Sequence, residues 1–143
     1  MNTKLETVYK PVLSTKCQQP FFEATVPAGF PSPASDYEED RLDLNKYLIK
    51  NPAATFFVRA SGDSMEGAGI HHGDLLVVDR SLEPRDKNIV IAAVNGELTV
   101  KRIRIKNKKI TLEPENGNYS VREITEDNEF EVWGVVTNVI HKL

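Results

Sequence analysis

From Ala54 onward the hydrophobic positions come in short runs whose make-up is that of strands. Thr55-Phe56-Phe57-Val58-Arg59 is rich in β-branched and aromatic residues. Asp74-Leu75-Leu76-Val77-Val78-Asp79 is a brief apolar run between two aspartates, the pattern of a strand buried on both faces. Ile89 to Val94 and Glu97 to Lys106 flank Asn95-Gly96. That dipeptide suits a type I′ hairpin turn, in which both central residues need φ > 0. Ile110-Thr111-Leu112 and Glu131 to His141 predict further strands. With little helical periodicity after residue 50, the expected fold is mostly β: a compact domain of several short antiparallel strands.

The start of the chain reads differently. Pro11, Pro20, Pro27, Pro31 and Pro33 recur there, and each fixes φ and removes a backbone donor. Residues 1–35 are therefore expected to form an extended N-terminal arm, and residues 36–143 the folded domain. Ser35 or Asp36 is placed to cap a short helix through Tyr37, Glu38, Glu39 and Asp40, with early acids favoured by the helix dipole. A second helical turn is predicted from Asp43 to Ile49, setting Leu44, Tyr47 and Leu48 at i, i+3 and i+4. No period of 20–50 residues repeats, which excludes solenoids and propellers.

Composition narrows the classes. At 143 residues and 40% hydrophobic, one globular domain is the natural count. The longest aliphatic run, Ile89 to Val94, falls far short of the roughly 20 residues a spanning helix needs, so no membrane segment is expected. Lys4, Glu6, Lys10 and Lys16 punctuate the N-terminus without an apolar stretch, so no secretory signal is expected either. A single cysteine, Cys17, forms no intramolecular disulfide, excludes a Cys-based zinc site and fits a reducing cytoplasm. Lys plus Arg number 18 against 21 Asp plus Glu, a net charge of −3. That balance argues against a general nucleic-acid binder and for a protein partner or a local chemistry.

Two positions stand out for chemistry. Ser61-Gly62-Asp63-Ser64-Met65 directly follows a strand, where a serine hydroxyl can be presented, although Ser, Gly and Asp are also ordinary turn residues. In Glu97 to Lys106 the side chains alternate, so Thr99, Lys101, Ile103 and Ile105 share a face while Arg102, Arg104 and Lys106 take the other, turned to water. Leu98 and Val100 interrupt this pattern, and a bulge there would change the phase. A lysine in phase with isoleucines is either a snorkelling side chain or a desolvated amine with a lowered pKa. Serine with a desolvated lysine makes a nucleophile–base pair of the Ser–Lys kind. His71-His72 is read as an exposed turn rather than a metal site, since neighbouring side chains point apart. The run Asp36 to Asp40 is read as a solvated face, and Arg102, Arg104, Lys106, Lys108 and Lys109 as a basic stripe on an exposed hairpin. Trp133 is expected in the core, and Cys17 is assigned no role.

Ser61-Gly62-Asp63-Ser64-Met65, then Gly73-Asp74-Leu75-Leu76-Val77-Val78-Asp79, then Thr99-Val100-Lys101-Arg102, resemble in order the LexA/UmuD group of self-cleaving proteins. Ala28-Gly29-Phe30-Pro31-Ser32-Pro33-Ala34 is similar to that group's cleavage region, with Ala28 where some UmuD-type proteins have Cys. Asp43-Leu44-Asn45 and Pro52-Ala53-Ala54-Thr55 resemble the UmuD branch in particular. The resemblance implies the C-terminal β-domain fold of that group, with Ser64 as nucleophile, Lys101 as general base and Ala28–Gly29 as the scissile bond. Backbone N–H groups near Ser64 would meet the oxyanion, and no cofactor or metal is implied. It further implies an SOS-response protein whose self-cleavage is stimulated by a RecA–single-stranded DNA filament. Residues 29–143 would then form a homodimer and join a UmuC-type Y-family polymerase in translesion synthesis, with direct nucleic-acid binding absent or weak. The alternatives are a LexA-like self-cleaving regulator or an inactive interaction module of the same fold. The former needs a helix-turn-helix that 28 residues holding Pro11, Pro20 and Pro27 cannot supply. A Ser–Lys signal peptidase acting in trans would need a membrane anchor.

Overall fold

β-Branched and aromatic runs become strands wherever a neighbouring strand can take up their backbone hydrogen bonds, and strands make up just over half of the described residues. The computed structural model describes residues 4–12, 18–22 and 38–143. Along the chain the elements are β1 (Lys4–Tyr9), β2 (Gln18–Phe22), β3 (Glu38–Asp43), α1 (Leu44–Leu48), β4 (Thr55–Ser61), β5 (Leu75–Asp79), β6 (Ile89–Val94), β7 (Glu97–Lys106), β8 (Lys109–Glu113), β9 (Arg122–Ile124) and β10 (Phe130–Ile140). Single 3₁₀ turns lie at Pro52–Ala54 and Glu66–Ala68.

Eight strands form one sheet in the order β1-β4-β5-β10-β6-β7-β8-β9, with antiparallel neighbours throughout. Strand β1 also meets β7, where Lys4 stands opposite Thr99, so the strands from β1 to β7 close on themselves. The expected mostly-β architecture is the one observed, and it is consistent with the expected C-terminal β-domain type. Two compact units divide the chain: Met1–Pro11 with Asn51–Leu143, which holds the large sheet, and Val12–Lys50, which holds the β2–β3 pair and α1.

Strands β5 and β6 bury consecutive residues and so both faces, whereas β4 buries mainly the face of Phe56, Val58 and Ala60. Phe56, Val58, Ala60, Met65, Ile70, Leu76, Val78, Ile91 and Val100 form one buried cluster, against which Trp133 packs half-buried. Val90, Ala92, Val94, Ile103, Leu112 and Val135 form a second. Burying each such large aliphatic side chain contributes about 1.5–3 kcal/mol. The β6–β7 register is unbroken from Ile89↔Arg102 to Val94↔Glu97, so no bulge shifts the phase of Lys101. The turn between these strands has Asn95 at φ 49° and Gly96 at φ 82°, both left-handed as the Asn-Gly signal requires.

One local expectation fails. Glu38, Glu39 and Asp40 are not helical but belong to β3, paired with β2 in the register Phe21↔Asp40 and Phe22↔Glu38. A single short turn leaves most of its backbone groups without an intrahelical partner, whereas pairing with β2 takes them up. The proposed caps Ser35 and Asp36, with Tyr37, lie outside the described residues. The second helical turn forms as α1, where Asp43 Oδ1 accepts from the Asn45 N–H at 3.0 Å as an N-cap.

Candidate functional site

At the end of β4 the chain turns through Gly62-Asp63-Ser64-Met65 into the 3₁₀ turn Glu66–Ala68. Met65 is wholly buried in the first cluster, so an apolar side chain anchors the loop next to Ser64, itself wholly buried. Lys101 lies in the middle of β7, opposite Val90 of β6 and in phase with Ile103. Only 6% of its surface is exposed.

These two elements bring Lys101 Nζ to 3.2 Å from Ser64 Oγ. The same nitrogen lies 3.1 Å from Thr99 Oγ1 and 3.2 Å from the Val100 carbonyl oxygen. An ammonium can donate to all three. A neutral amine has two N–H donors and one lone pair, and the Val100 carbonyl can only accept. The lone pair must then be met by a hydroxyl, from Ser64 or from Thr99. Burial pulls the Lys101 amine down from 10.5 to about 8, because desolvation disfavours the charged form. A hydroxyl beside an amine that loses its proton near pH 8 is an arrangement able to support proton transfer.

A second segment, between β8 and β9, grips the serine loop from the far side. The Glu115 N–H donates to the Ser64 carbonyl at 2.7 Å, and the Gly67 N–H donates to the Glu115 carbonyl at 2.7 Å. Asn116 Nδ2 donates to the Asp63 carbonyl at 3.0 Å, and the Tyr119 hydroxyl donates to Asp63 Oδ1. That last bond, to a carboxylate, pushes the Tyr119 hydroxyl up to about 12. Gly67 is required by close approach: a Cβ there would sit 2.6 Å from the Glu115 carbonyl oxygen. Arg102, next to Lys101 on β7, pairs with Glu115 at 2.5 Å and so ties the gripping segment to the lysine strand.

Ser64 and Lys101 are thus brought together, while Ala28 and Gly29 lie outside the described residues. The outer face of β7 differs from expectation. Arg102 and Arg104 are not simply turned to water, since Glu115 meets the first and Asp86, at 3.0 Å, and Glu113, at 3.6 Å, meet the second. Carboxylates on the neighbouring loop and on β8 satisfy these cations locally. His71 and His72 are exposed; the His72 ring accepts from the Gly62 N–H at 3.1 Å, and His71 packs against His141. Among the described residues no cluster of three or more His, Cys, Asp and Glu is placed to hold a metal, and no helix is long and apolar enough to cross a membrane.

Sequence reading singled out neither Thr99 as a partner of the amine nor the Glu115–Tyr119 segment. Thr99 was legible in principle, two residues before Lys101 on the same face of a strand. Asn116 and Tyr119 sit in an irregular loop whose spacing carries no such signal.

The family model described as Peptidase S24-like matches residues 20–137. Protein SamA of Salmonella typhimurium is 52% identical over 133 residues, covering 93% of this chain and 90% of SamA. Protein ImpA of Escherichia coli is 51% identical over 137 residues, covering 96% of this chain and 87% of ImpA. The LexA repressor of Xylella fastidiosa is 35% identical over 115 residues, 80% of this chain and 54% of that protein.

Proposed function

Since the chain belongs to the peptidase S24-like family, on its UmuD-type branch, we propose that it is a self-cleaving serine peptidase of SOS mutagenesis that cuts its own Ala28–Gly29 bond within the arm of residues 1–35. Ser64 is the nucleophile and Lys101 the general base. The observation that carries this reading is the buried Lys101 amine 3.2 Å from Ser64 Oγ.

In the neutral state the Lys101 lone pair takes the Ser64 hydroxyl proton as Oγ bonds to the Ala28 carbonyl carbon. The tetrahedral intermediate collapses by breaking the Ala28–Gly29 C–N bond, and the new ammonium returns that proton to the Gly29 nitrogen. An ester joins Ala28 to Ser64. Water, deprotonated by Lys101, attacks the ester, releasing the Ala28 carboxylate and restoring the Ser64 hydroxyl. Val100 and Thr99 take the two N–H donors of the neutral amine, which leaves its lone pair for Ser64.

In this reading a RecA–single-stranded DNA filament raises the population in which the arm reaches Ser64. The product of residues 29–143 then acts as a homodimer with a UmuC-type polymerase. The resemblance of the cleavage region and the relatedness to SamA and ImpA support this reading over that of a LexA-like regulator.

An intact-mass time course of the purified protein at alkaline pH, beside Ser64→Ala, tests it. Fragments ending at Ala28 and beginning at Gly29, absent in the variant, are expected. Absence of those fragments, alone and with RecA, single-stranded DNA and a nucleotide, would leave the fold as an interaction module.

A further inference from the structure

The grip on the serine loop falls on two consecutive peptide planes. The Asp63 carbonyl accepts from Asn116 Nδ2 at 3.0 Å, and the Ser64 carbonyl accepts from the Glu115 N–H at 2.7 Å. In a planar trans peptide the C=O and N–H point in opposite directions. With both carbonyls drawn toward residues 115 and 116, the Ser64 and Met65 N–H groups are directed away from that segment. Two adjacent N–H groups turned the same way beside a serine hydroxyl are the donors an oxyanion requires. The Tyr119 hydroxyl on Asp63 Oδ1 fixes the side chain of the first gripped residue, and the Arg102–Glu115 pair fixes the segment itself.

We propose that Asn116 and Tyr119 are positioning residues for the Ser64 reaction: they hold the two peptide planes flanking Ser64 so that the Ser64 and Met65 N–H groups face the carbonyl oxygen under attack. This rests on Ser64 being the nucleophile. Asn116 reaches the backbone of Asp63, and Tyr119 its side chain, so each acts on the reaction through the loop that carries Ser64.

Two near-isosteric variants of the full chain separate this role from general support of the fold. Asn116 Oδ1 accepts from the Asn118 N–H at 3.0 Å, which keeps its own turn closed. Asn116→Asp preserves that acceptor but replaces the donor to Asp63 with a charged oxygen, and Tyr119→Phe keeps the ring and deletes only the hydroxyl. Two rates are measured from pH 6 to pH 10, well below each melting temperature: self-cleavage, and labelling of Ser64 by a fluorophosphonate, a serine-directed probe that needs no arm. Each variant is expected to lower the plateau of both rates by about 10- to 100-fold, the scale on which misplacement of a reacting group by about an ångström acts. The pH midpoint of Tyr119→Phe is expected to stay that of the wild type, because the surroundings of Lys101 are untouched.

Plateaus within about twofold of wild type in a folded variant would overturn the role of that residue. So would a shifted midpoint with an unchanged plateau, which reports only the added charge of Asn116→Asp. A variant unfolded at the assay temperature would make its residue structural and remove it from the proposal. Wild-type labelling without cleavage at Ala28–Gly29 would reject the assigned bond while the labelling rates still decide the positioning role. Neither labelling nor cleavage would reject both.

Discussion

Burial of the Lys101 amine lowers its pKa, with a kinetic and a thermodynamic consequence. With its value near 8, about one amine in ten is neutral at pH 7. If the neutral amine is the base, self-cleavage should rise about tenfold per pH unit below that value and level off above it. A single-turnover rate measured from pH 6 to pH 10 checks this, and a flat profile would remove Lys101 from the role. The stability sign follows from linkage. The folded value lies below the unfolded 10.5, so between about 8 and 10.5 the unfolded chain holds more protons and stability climbs with pH. Below about 8 both states are charged and folding bears the full cost of the buried ammonium. Lys101→Met, similar in shape and uncharged, should therefore abolish cleavage yet stabilise the fold at pH 7 by about 1–3 kcal/mol. That gain should shrink as pH approaches 10.5, as paired urea titrations at pH 7 and pH 10 would reveal. A variant less stable than wild type at pH 7 would show that the three hydrogen bonds of Nζ outweigh its desolvation.

Elements divide by how local their causes are. Strand β7 was legible because alternation and the Asn95-Gly96 turn are properties of adjacent residues, and these placed Lys101 on an apolar face. Proximity of Ser64 to Lys101 could be suspected from residue types but not measured, since it depends on how β4 and β7 stand in the sheet. The helix start that Glu38, Glu39 and Asp40 favour is a local preference, and pairing with the distant strand β2 overrides it. The grip on the serine loop was hidden for the same reason, being made of backbone groups and loop side chains far apart in sequence. Gly67 is the point where that grip is most sensitive. Its missing Cβ makes room for the Glu115 carbonyl, so Gly67→Ala must push two backbones apart. It should cost about 1–3 kcal/mol, the scale of overpacking a closed site. It should also slow cleavage more than its loss of stability explains, because the displaced segment is the one that orients Ser64. Thermal denaturation beside the cleavage rate at a temperature where the variant remains folded separates the two effects. Equal rates there would mean that the loop tolerates the shift.

At the scale of the whole molecule, closure of the sheet depends on β1, which among the described strands of the large sheet is the one that precedes the proposed cleavage bond. Its pairs with β4, from Lys4↔Ser61 to Tyr9↔Phe57, and its contact with β7 at Lys4↔Thr99 bridge the strands that lead to Ser64 and carry Lys101. Cutting Ala28–Gly29 severs β1 from the rest of the sheet covalently but breaks none of these pairs. Retention of the 1–28 fragment then becomes an equilibrium, no longer enforced by the chain. Once it leaves, β4 becomes an edge with a row of unpaired N–H and C=O groups, the kind of edge that invites pairing with another strand. Deuterium exchange on isolated 29–143, compared with uncleaved Ser64→Ala, should therefore show faster exchange at the β4 amides turned toward β1. The β5 and β6 amides should be little changed, because their partners β10 and β7 remain. Unchanged protection of β4 at low protein concentration would show that the sheet does not depend on β1. Protection that returns as concentration rises would instead place a second copy of the chain on the edge β1 vacated, linking release of the fragment to dimerisation.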